Sequence, residues 1–388
     1  MNRITIYLLA LGAFLTGTAE FVVSGVLELI AVDLNVSISV AGQLLTFYSL
    51  SYAFGALVLV ITTAKFERKT ILLLSMLVFL GGNVLAFAST GYWTLMASRI
   101  VLAMSGGLYI VIATNYAAHL AEPGKKGSAM ATVLTGFTVS LVLGVPIGTF
   151  IATYIDWRYI YLILAISALL NFLLLKRLIP KWQGNRSLPV KRQLLILRDK
   201  RLVAGLFTTI FWILGYTMVF AYIAPFLSEL AGFSIEKIST ALFILGMFAF
   251  IGSRFGGYAA DKWGPAKTIT FSLAIHAATL FTVVFTANST IGVLVTLMVW
   301  GAATWTTTPA NQYYLISLQP EASEIVLSFH TALMNIGMTL GAGLGGTVIA
   351  YTSVVHLGWI GGLMVLVALL AASVSLNWKK QGNAEENH

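Results

Sequence analysis

Charge is scarce in this sequence, and the scarcity decides its solvent. Only 10% of the 388 residues are Asp, Glu, Lys or Arg, where a soluble domain carries roughly 25%. With 58% hydrophobic residues, such a chain cannot cover a water-facing surface and must lie in lipid. Cysteine is absent, so the redox compartment leaves no mark on the sequence. The apolar runs do not alternate with polar residues, which excludes a transmembrane β-barrel. No phosphate-binding loop of the form G-x-x-x-x-G-K-[ST] occurs, so the chain is not by itself an ATP-driven pump. No H-E-x-x-H, metal-spaced His/Cys set or nucleophile elbow appears, so neither an enzyme nor a metal or other cofactor is expected. No A-x-A-like cleavage site follows the first apolar run, which begins directly after Met1–Arg3 and reads as a retained helix.

What is present is a series of apolar runs near the ~20 residues needed to cross the hydrocarbon. The pattern predicts an all-α membrane protein with twelve spans, over 4–30, 38–63, 70–89, 93–119, 127–153, 158–178, 202–229, 236–260, 267–286, 290–317, 324–351 and 355–376. The loops between them are short, apart from a polar, basic connector over 179–201. It separates a six-span half, 1–178, from a second half with a short tail, 202–388.

Lys and Arg counting sets the orientation. With the N-terminus inside, 19 of the 23 basic residues fall on inside segments, two (Arg158, Lys237) outside, and two (Arg99, Arg254) within spans. Both termini are therefore expected to be cytoplasmic. The net charge of +9 is a topology signal, not the footprint of nucleic-acid binding.

The halves repeat. Asp33–Ser37 before the second span matches Leu230–Ser234 before the eighth at an offset of 197, and Ala64–Glu67 matches Asp261–Gly264 at the same offset. Gly148–Ala152 matches Gly346–Ala350 at 198. A shift of six spans keeps the orientation, so the bundles are parallel, one of the known transporter plans.

These motifs resemble the major facilitator superfamily over the whole chain. Its motif G-x-x-x-D-R/K-x-G-R/K is similar to Gly257-Tyr258-Ala259-Ala260-Asp261-Lys262-Trp263-Gly264. In the first half the Asp position is Ala64 and the Gly position Glu67, with Lys65, Arg68 and Lys69 kept. Arg99 followed by Gly106-Gly107 resembles the fourth-span motif. Gly136 and Gly144-Val145-Pro146-Ile147-Gly148, followed by Asp156-Trp157-Arg158, resemble the fifth-span motif of drug/proton antiporters. The resemblance implies a twelve-span, proton-coupled exporter of the arabinose-efflux-like or purine-efflux-like type. It also implies a cytoplasmic latch at Asp261 and Lys262, and a fifth-span seam at Gly144, Pro146 and Gly148 that stays closed to ion leak. Plain helix packing is the competing reading for those glycines, and a solvated turn for Asp261.

Of fourteen acidic residues, Glu20 alone lies deep in a span. A carboxylate there costs ~2.5–3.5 kcal/mol on insertion scales and marks a proton or ion path. A buried carboxyl group is suited to loading and releasing a proton near neutral pH. Gly12, Thr16, Glu20 and Ser24 form a small, polar stripe that should face protein or water. Glu20 is ~15 Å and Arg99 ~10 Å below the outer surface, so Arg99 is the natural partner that tunes it. Packing of Arg99 against backbone carbonyls is the alternative.

Candidate substrate contacts come from both halves: Tyr48 and Tyr52; Trp212 and Tyr216; Thr304, Thr308 and Asn311 beside Pro309; and His330, Thr331, Asn335 and Thr339. Aromatic and amide groups around one cavity suit a flat, largely uncharged ligand such as a purine base, nucleoside or hydrophobic drug. Sugars, an uncoupled facilitator and a membrane ligand sensor are the competing readings. The expected partners are a small-molecule substrate, protons and the lipid bilayer, with the protein acting as a monomer in the cell membrane.

Overall fold

Twelve helices long and apolar enough to cross a membrane form in the computed structural model, which describes residues 3–36, 38–183, 195–287 and 289–377. They are α1 (Arg3–Asp33), α2 (Ile38–Thr62), α3 (Arg68–Phe87), α4 (Tyr92–Leu120), α5 (Lys126–Tyr154) and α6 (Arg158–Leu178) in the first half. The second half has α7 (Lys200–Phe220), α8 (Ile235–Trp263), α9 (Pro265–Thr286), α10 (Thr290–Leu318), α11 (Ser323–Tyr351) and α12 (Val355–Asn377). No strand occurs among the described residues.

The expected bounds agree with these helices except at the seventh span, which ends at Phe220 and not near 229. The chain turns at Ala221–Tyr222 and starts a separate short helix, Ile223–Ala231. Pro225 falls in the first turn of that helix, where its missing N–H is no loss. Gly232 closes it at φ +61°, a left-handed conformation that glycine adopts without steric cost.

A π-helical turn, Ser140–Gly144, interrupts α5 two residues before Pro146. Proline has no N–H for the carbonyl four residues back, and its ring crowds that carbonyl. A locally wider turn is one of the few ways a helix absorbs this without breaking.

Within the first half α1 packs on α5, α2 and α3 on α4, and α3 on α6. The second half repeats the plan, with α7 on α11 and α12, and α8 and α9 on α10. The halves meet chiefly along α5 against α8 and α2 against α11, two contacts that the internal repeat exchanges. The start of the connector is pinned to the first half: Arg68 N–H donates to the Trp182 carbonyl at 2.9 Å, Lys69 to Ile179 at 2.7 Å and Tyr116 to Pro180 at 2.7 Å. The rest of the predicted connector, 184–194, and the tail, 378–388, lie outside the described residues.

Candidate functional site

A small cavity of about 50 Å³ lies between the halves. From the first half come Glu20 and Tyr52, with Ile110, Leu134 and Phe137; from the second come Trp305, Thr308, Gln312 and the α11 face Thr331, Asn335 and Met338. One Glu20 carboxylate oxygen is buried here with no hydrogen-bond partner. Among the described residues no Lys or Arg lines the cavity.

Glu20 is positioned by close helix packing. Gly12 meets the Tyr109 ring of α4, and Thr16 approaches Gly106 at 3.4 Å, measured to the position a Cβ would take. This turns the polar stripe of α1 toward α4 and the centre.

Arg99, fully buried on α4, reaches α1 at the level of Glu20. It donates to the backbone carbonyls of Ala19 and of Glu20, the latter at 3.2 Å, and not to the Glu20 carboxylate. Its guanidinium lies 4.0 Å from the centroid of the Tyr48 ring, which in turn stacks on Tyr52 at 6.1 Å. The expected pairing of Glu20 with Arg99 therefore takes the form of proximity: carbonyl bonds and an aromatic face hold the cation, and the acid stays free.

Of the predicted substrate contacts, Tyr52, Thr308, Thr331 and Asn335 line the cavity, and Tyr48, Trp212, Tyr216, Thr304, Asn311, His330 and Thr339 do not. Asn311 turns toward α7 and donates to Thr209 Oγ1 at 2.9 Å. Trp212 is fully buried on α7, and Tyr216 sits against the Phe220 and Trp300 rings at 5.1 and 5.2 Å inside the second bundle, behind the cavity-lining Trp305 ring at 6.4 Å. His330, also fully buried, pairs with Gln312 at 3.4 Å behind the cavity wall. Helical phase is the reason on α11, where His330 and Thr331, one position apart, face different neighbours; on α10 Pro309 lies inside the helix between Thr308 and Asn311. Sequence reasoning missed two lining residues, Trp305 and Gln312. The Gln312 Oε1 is buried without a partner, and its signal was the spacing Thr308, Gln312, one turn apart on one face.

Two polar joints close the same side of the molecule, the side of the connector. Asp261, at the end of α8, accepts from Gly127 N–H at 2.8 Å, Ser128 N–H at 2.8 Å and the Ser128 hydroxyl at 2.6 Å. It thus caps the N-terminus of α5 from the other half, where the first-turn amides and the helix dipole favour an anion. No side chain caps that terminus locally. Gly257 makes the approach possible: a Cβ there would stand 2.6 Å from the Gly127 carbonyl. Lys262 is not part of the joint and bonds Tyr258 Oη at 2.8 Å. Gly264, at φ +87°, turns the chain into Pro265. Arg254 adds a bond from α8 to Thr132 Oγ1 of α5 at 2.5 Å.

The second joint has reversed polarity. Under the 197-residue repeat Ala64 corresponds to Asp261, and Glu324 to Gly127. The acid has moved to the partner helix. Glu324, at the start of α11, pairs with Arg68 at 2.6 Å and accepts from Asn115 at 3.3 Å. Arg68 also donates to the Thr63 and Ala64 carbonyls at 2.9 and 3.0 Å, filling the place where the repeat has a carboxylate. Lys65 is exposed and lies over the Phe66 ring at 5.4 Å, outside the joint.

In the fifth-span motif, Gly144 and Gly148 are buried against Thr18 and Val22 of α1 in the same half, and Pro146 is exposed. Close packing of α1 on α5 accounts for the two glycines.

Two helical bundles of parallel plan, a cavity between them lined by both and polar joints on one side are the architecture of a membrane transporter. The chain belongs to the Major Facilitator Superfamily, whose family model matches residues 9–324. It is 37% identical over 376 residues to the MFS-type transporter YbcL of Bacillus subtilis, covering 97% of this chain and 96% of that protein. It is 31% identical over 382 residues to YtbD of the same organism, with the same coverage. Among solved structures it is similar to the Escherichia coli fucose:proton symporter FucP (TM-score 0.78, 15% identity, 96% of this chain and 98% of that one). It is also similar to the proton:xylose symporter XylE (0.72, 20%, 95% and 94%) and the human organic anion transporter MFSD10 (0.73, 15%, 95% and 99%). The protein is a multi-pass membrane secondary transporter, not an enzyme.

Proposed function

We propose that the protein exports a small, largely uncharged organic compound, a purine base, nucleoside or hydrophobic drug, in exchange for protons. It works as a monomer in the cell membrane, with both termini and the 179–201 connector inside. The observation that carries this reading is the Glu20 carboxylate oxygen, buried without a partner in the inter-half cavity while Arg99 beside it is engaged with backbone carbonyls. An acid so placed exchanges a proton with the cavity and not with a fixed counter-ion. Movement of Arg99 toward or away from it, as the halves 1–178 and 202–388 rock, changes its hold on that proton. The lining supports an uncharged ligand: Tyr52 and Trp305 give flat faces, and Thr308, Gln312, Thr331 and Asn335 give hydrogen bonds.

The test is efflux from proteoliposomes under an imposed pH gradient, with bases, nucleosides, sugars and hydrophobic drugs offered in turn. Efflux of a base, nucleoside or drug should be driven by the gradient, and Glu20→Gln should uncouple it. Substrate-for-proton exchange by Glu20→Gln overturns the role of Glu20. Transport unchanged without any gradient points instead to a facilitator, and selective transport of sugars to another substrate class.

A further inference from the structure

A lateral groove of about 420 Å³ runs along the connector end of the second half, away from the inter-half cavity. Its walls are two ridges at helical spacing, Phe255, Ala259 and Trp263 on α8 and Lys267, Phe271 and Ile275 on α9. Phe255, Trp263, Phe271 and Ile275 are all at least 44% exposed, so the groove opens to the membrane. Small α10 residues, Ala302 and Ala303, form the floor.

The polar atoms of the floor are already committed. Ser272 Oγ pairs with Thr307 Oγ1 at 2.8 Å, and Thr306 donates to the Gly252 carbonyl at 3.0 Å. The interior of the groove thus has nothing to offer a polar ligand and suits hydrocarbon. Its connector end is different. Lys267 stands at the mouth and makes no ion pair or hydrogen bond among the described residues. Lys262 is close in sequence, its ammonium resting on Tyr258 Oη at 2.8 Å with further donors to spare. The neighbouring acid, Asp261, is occupied by Gly127 and Ser128. Trp263 lies at the same level, as aromatic residues do at a headgroup boundary.

An apolar trough ~12 Å long, from Lys267 to Ile275 at the helical rise, with Lys267 at one end and Lys262 five residues before it in the chain, matches an amphiphile with a hydrocarbon tail and an anionic head. We propose that this groove is a binding site for an anionic phospholipid, one acyl chain lying between α8 and α9 and its phosphate held by Lys267 and Lys262. A zwitterionic headgroup would bring an ammonium toward two lysines with no free acid to receive it. A lipid bound here braces the end of α8, beside the Asp261 joint. The inference does not depend on substrate or proton coupling.

The experiment is native mass spectrometry of the full-length protein in detergent, offered equimolar phosphatidylglycerol and phosphatidylcholine of the same chain composition. Retention should favour phosphatidylglycerol, and each lysine removed (Lys267→Gln, then with Lys262→Gln) should lower the preference about five-fold. Val299→Trp, at a lining position 41% exposed to lipid, should block the groove and reduce phosphatidylglycerol retention without changing charge. Circular dichroism establishes that each variant is folded. Equal retention of the two lipids by the unaltered protein overturns the proposal. So does a preference that survives loss of both lysines, or one untouched by Val299→Trp. Displacement of the lipid by millimolar inorganic phosphate would show a free-phosphate site and overturn it equally.

Discussion

Arg68 and Glu324 form an ion pair of 2.6 Å between the halves, and it inverts the joint formed by Asp261 and the amides of Gly127 and Ser128. In each joint one acid closes the connector side. In one it is carried by the helix end that follows the repeat motif; in the other it is carried by the facing helix. Both partners of the ion pair are buried, 3% and 7% exposed, so neither charge has water to fall back on.

Removing one partner should therefore cost far more than a surface pair would. Arg68→Ala or Glu324→Ala is expected to destabilise by about 3–5 kcal/mol, because an unpaired buried charge remains. The same variants should open the connector side. The chain has no cysteine, so single cysteines placed around Asn115 and labelled with a membrane-impermeant reagent report that opening directly. The exchange Arg68→Glu with Glu324→Arg should recover only part of the loss, since a carboxylate cannot donate to the Thr63 and Ala64 carbonyls. Full recovery would show that the carbonyl bonds contribute nothing.

Asp261→Asn presents an amide N–H where Gly127 and Ser128 already present theirs, so one side of the joint loses its acceptor. A loss of about 1–3 kcal/mol in thermal or denaturant unfolding is expected. Gly257→Ala should cost at least as much, because the new methyl group meets the Gly127 carbonyl and Ala131.

Arg99→Lys tests how that cation is held. Lysine keeps the charge but cannot reproduce a planar fork spanning two α1 carbonyls with a face on Tyr48. Transport should fall at least about ten-fold, with a lower unfolding midpoint. Wild-type rates in this variant would mean that charge alone suffices.

Gln312 and Asn311 are adjacent yet should behave differently. Gln312→Leu should shift substrate affinity, as its Oε1 is unpartnered at the cavity, on top of the stability lost by leaving the buried His330 Nδ1 without its partner. Asn311→Leu should lower stability alone, by about 1–3 kcal/mol, by leaving Thr209 unpaired in the second bundle. Substrate titration alongside thermal unfolding separates the two.

Among the described residues, Asp199 is a source of pH-dependent stability outside the spans. Burial by itself would raise the Asp199 carboxyl, but hydrogen bonds from the Arg201 side chain and backbone, the Arg201 charge and the Gln319 amide outweigh it and hold the group below its ordinary value. A depressed carboxyl stabilises the fold above its unfolded value, near 3.9, and that contribution disappears as pH falls through the folded value. Asp199 also caps α7, accepting from Arg201 N–H at 2.9 Å. Asp199→Asn should therefore cost about 1 kcal/mol at neutral pH, with the gap to wild type closing below about pH 4. A gap independent of pH would assign the whole effect to cap geometry.

Much of the architecture was legible from residues taken in order. Span lengths, the 197-residue repeat and the lone deep acid at Glu20 are local or periodic properties, and helix formation in lipid leaves the backbone no alternative. The seventh span was read too long because hydropathy continues through Ala221 and Tyr222, while the break there depends on Pro225 starting a new helix. The reversed joint could not be read from Ala64 alone. Its replacement, Glu324, lies on a facing helix 256 positions away from Arg68, and nothing local distinguishes it from the other acids at span ends. The same holds within α10: Thr308, Asn311 and Gln312 are equally polar, and the rotation of the helix against α7 and α11 assigns one to a bundle core and the others to the cavity. Helices and their membrane spacing follow from composition along the chain; which polar side chains meet follows from helical phase and close packing between distant segments, which composition does not encode.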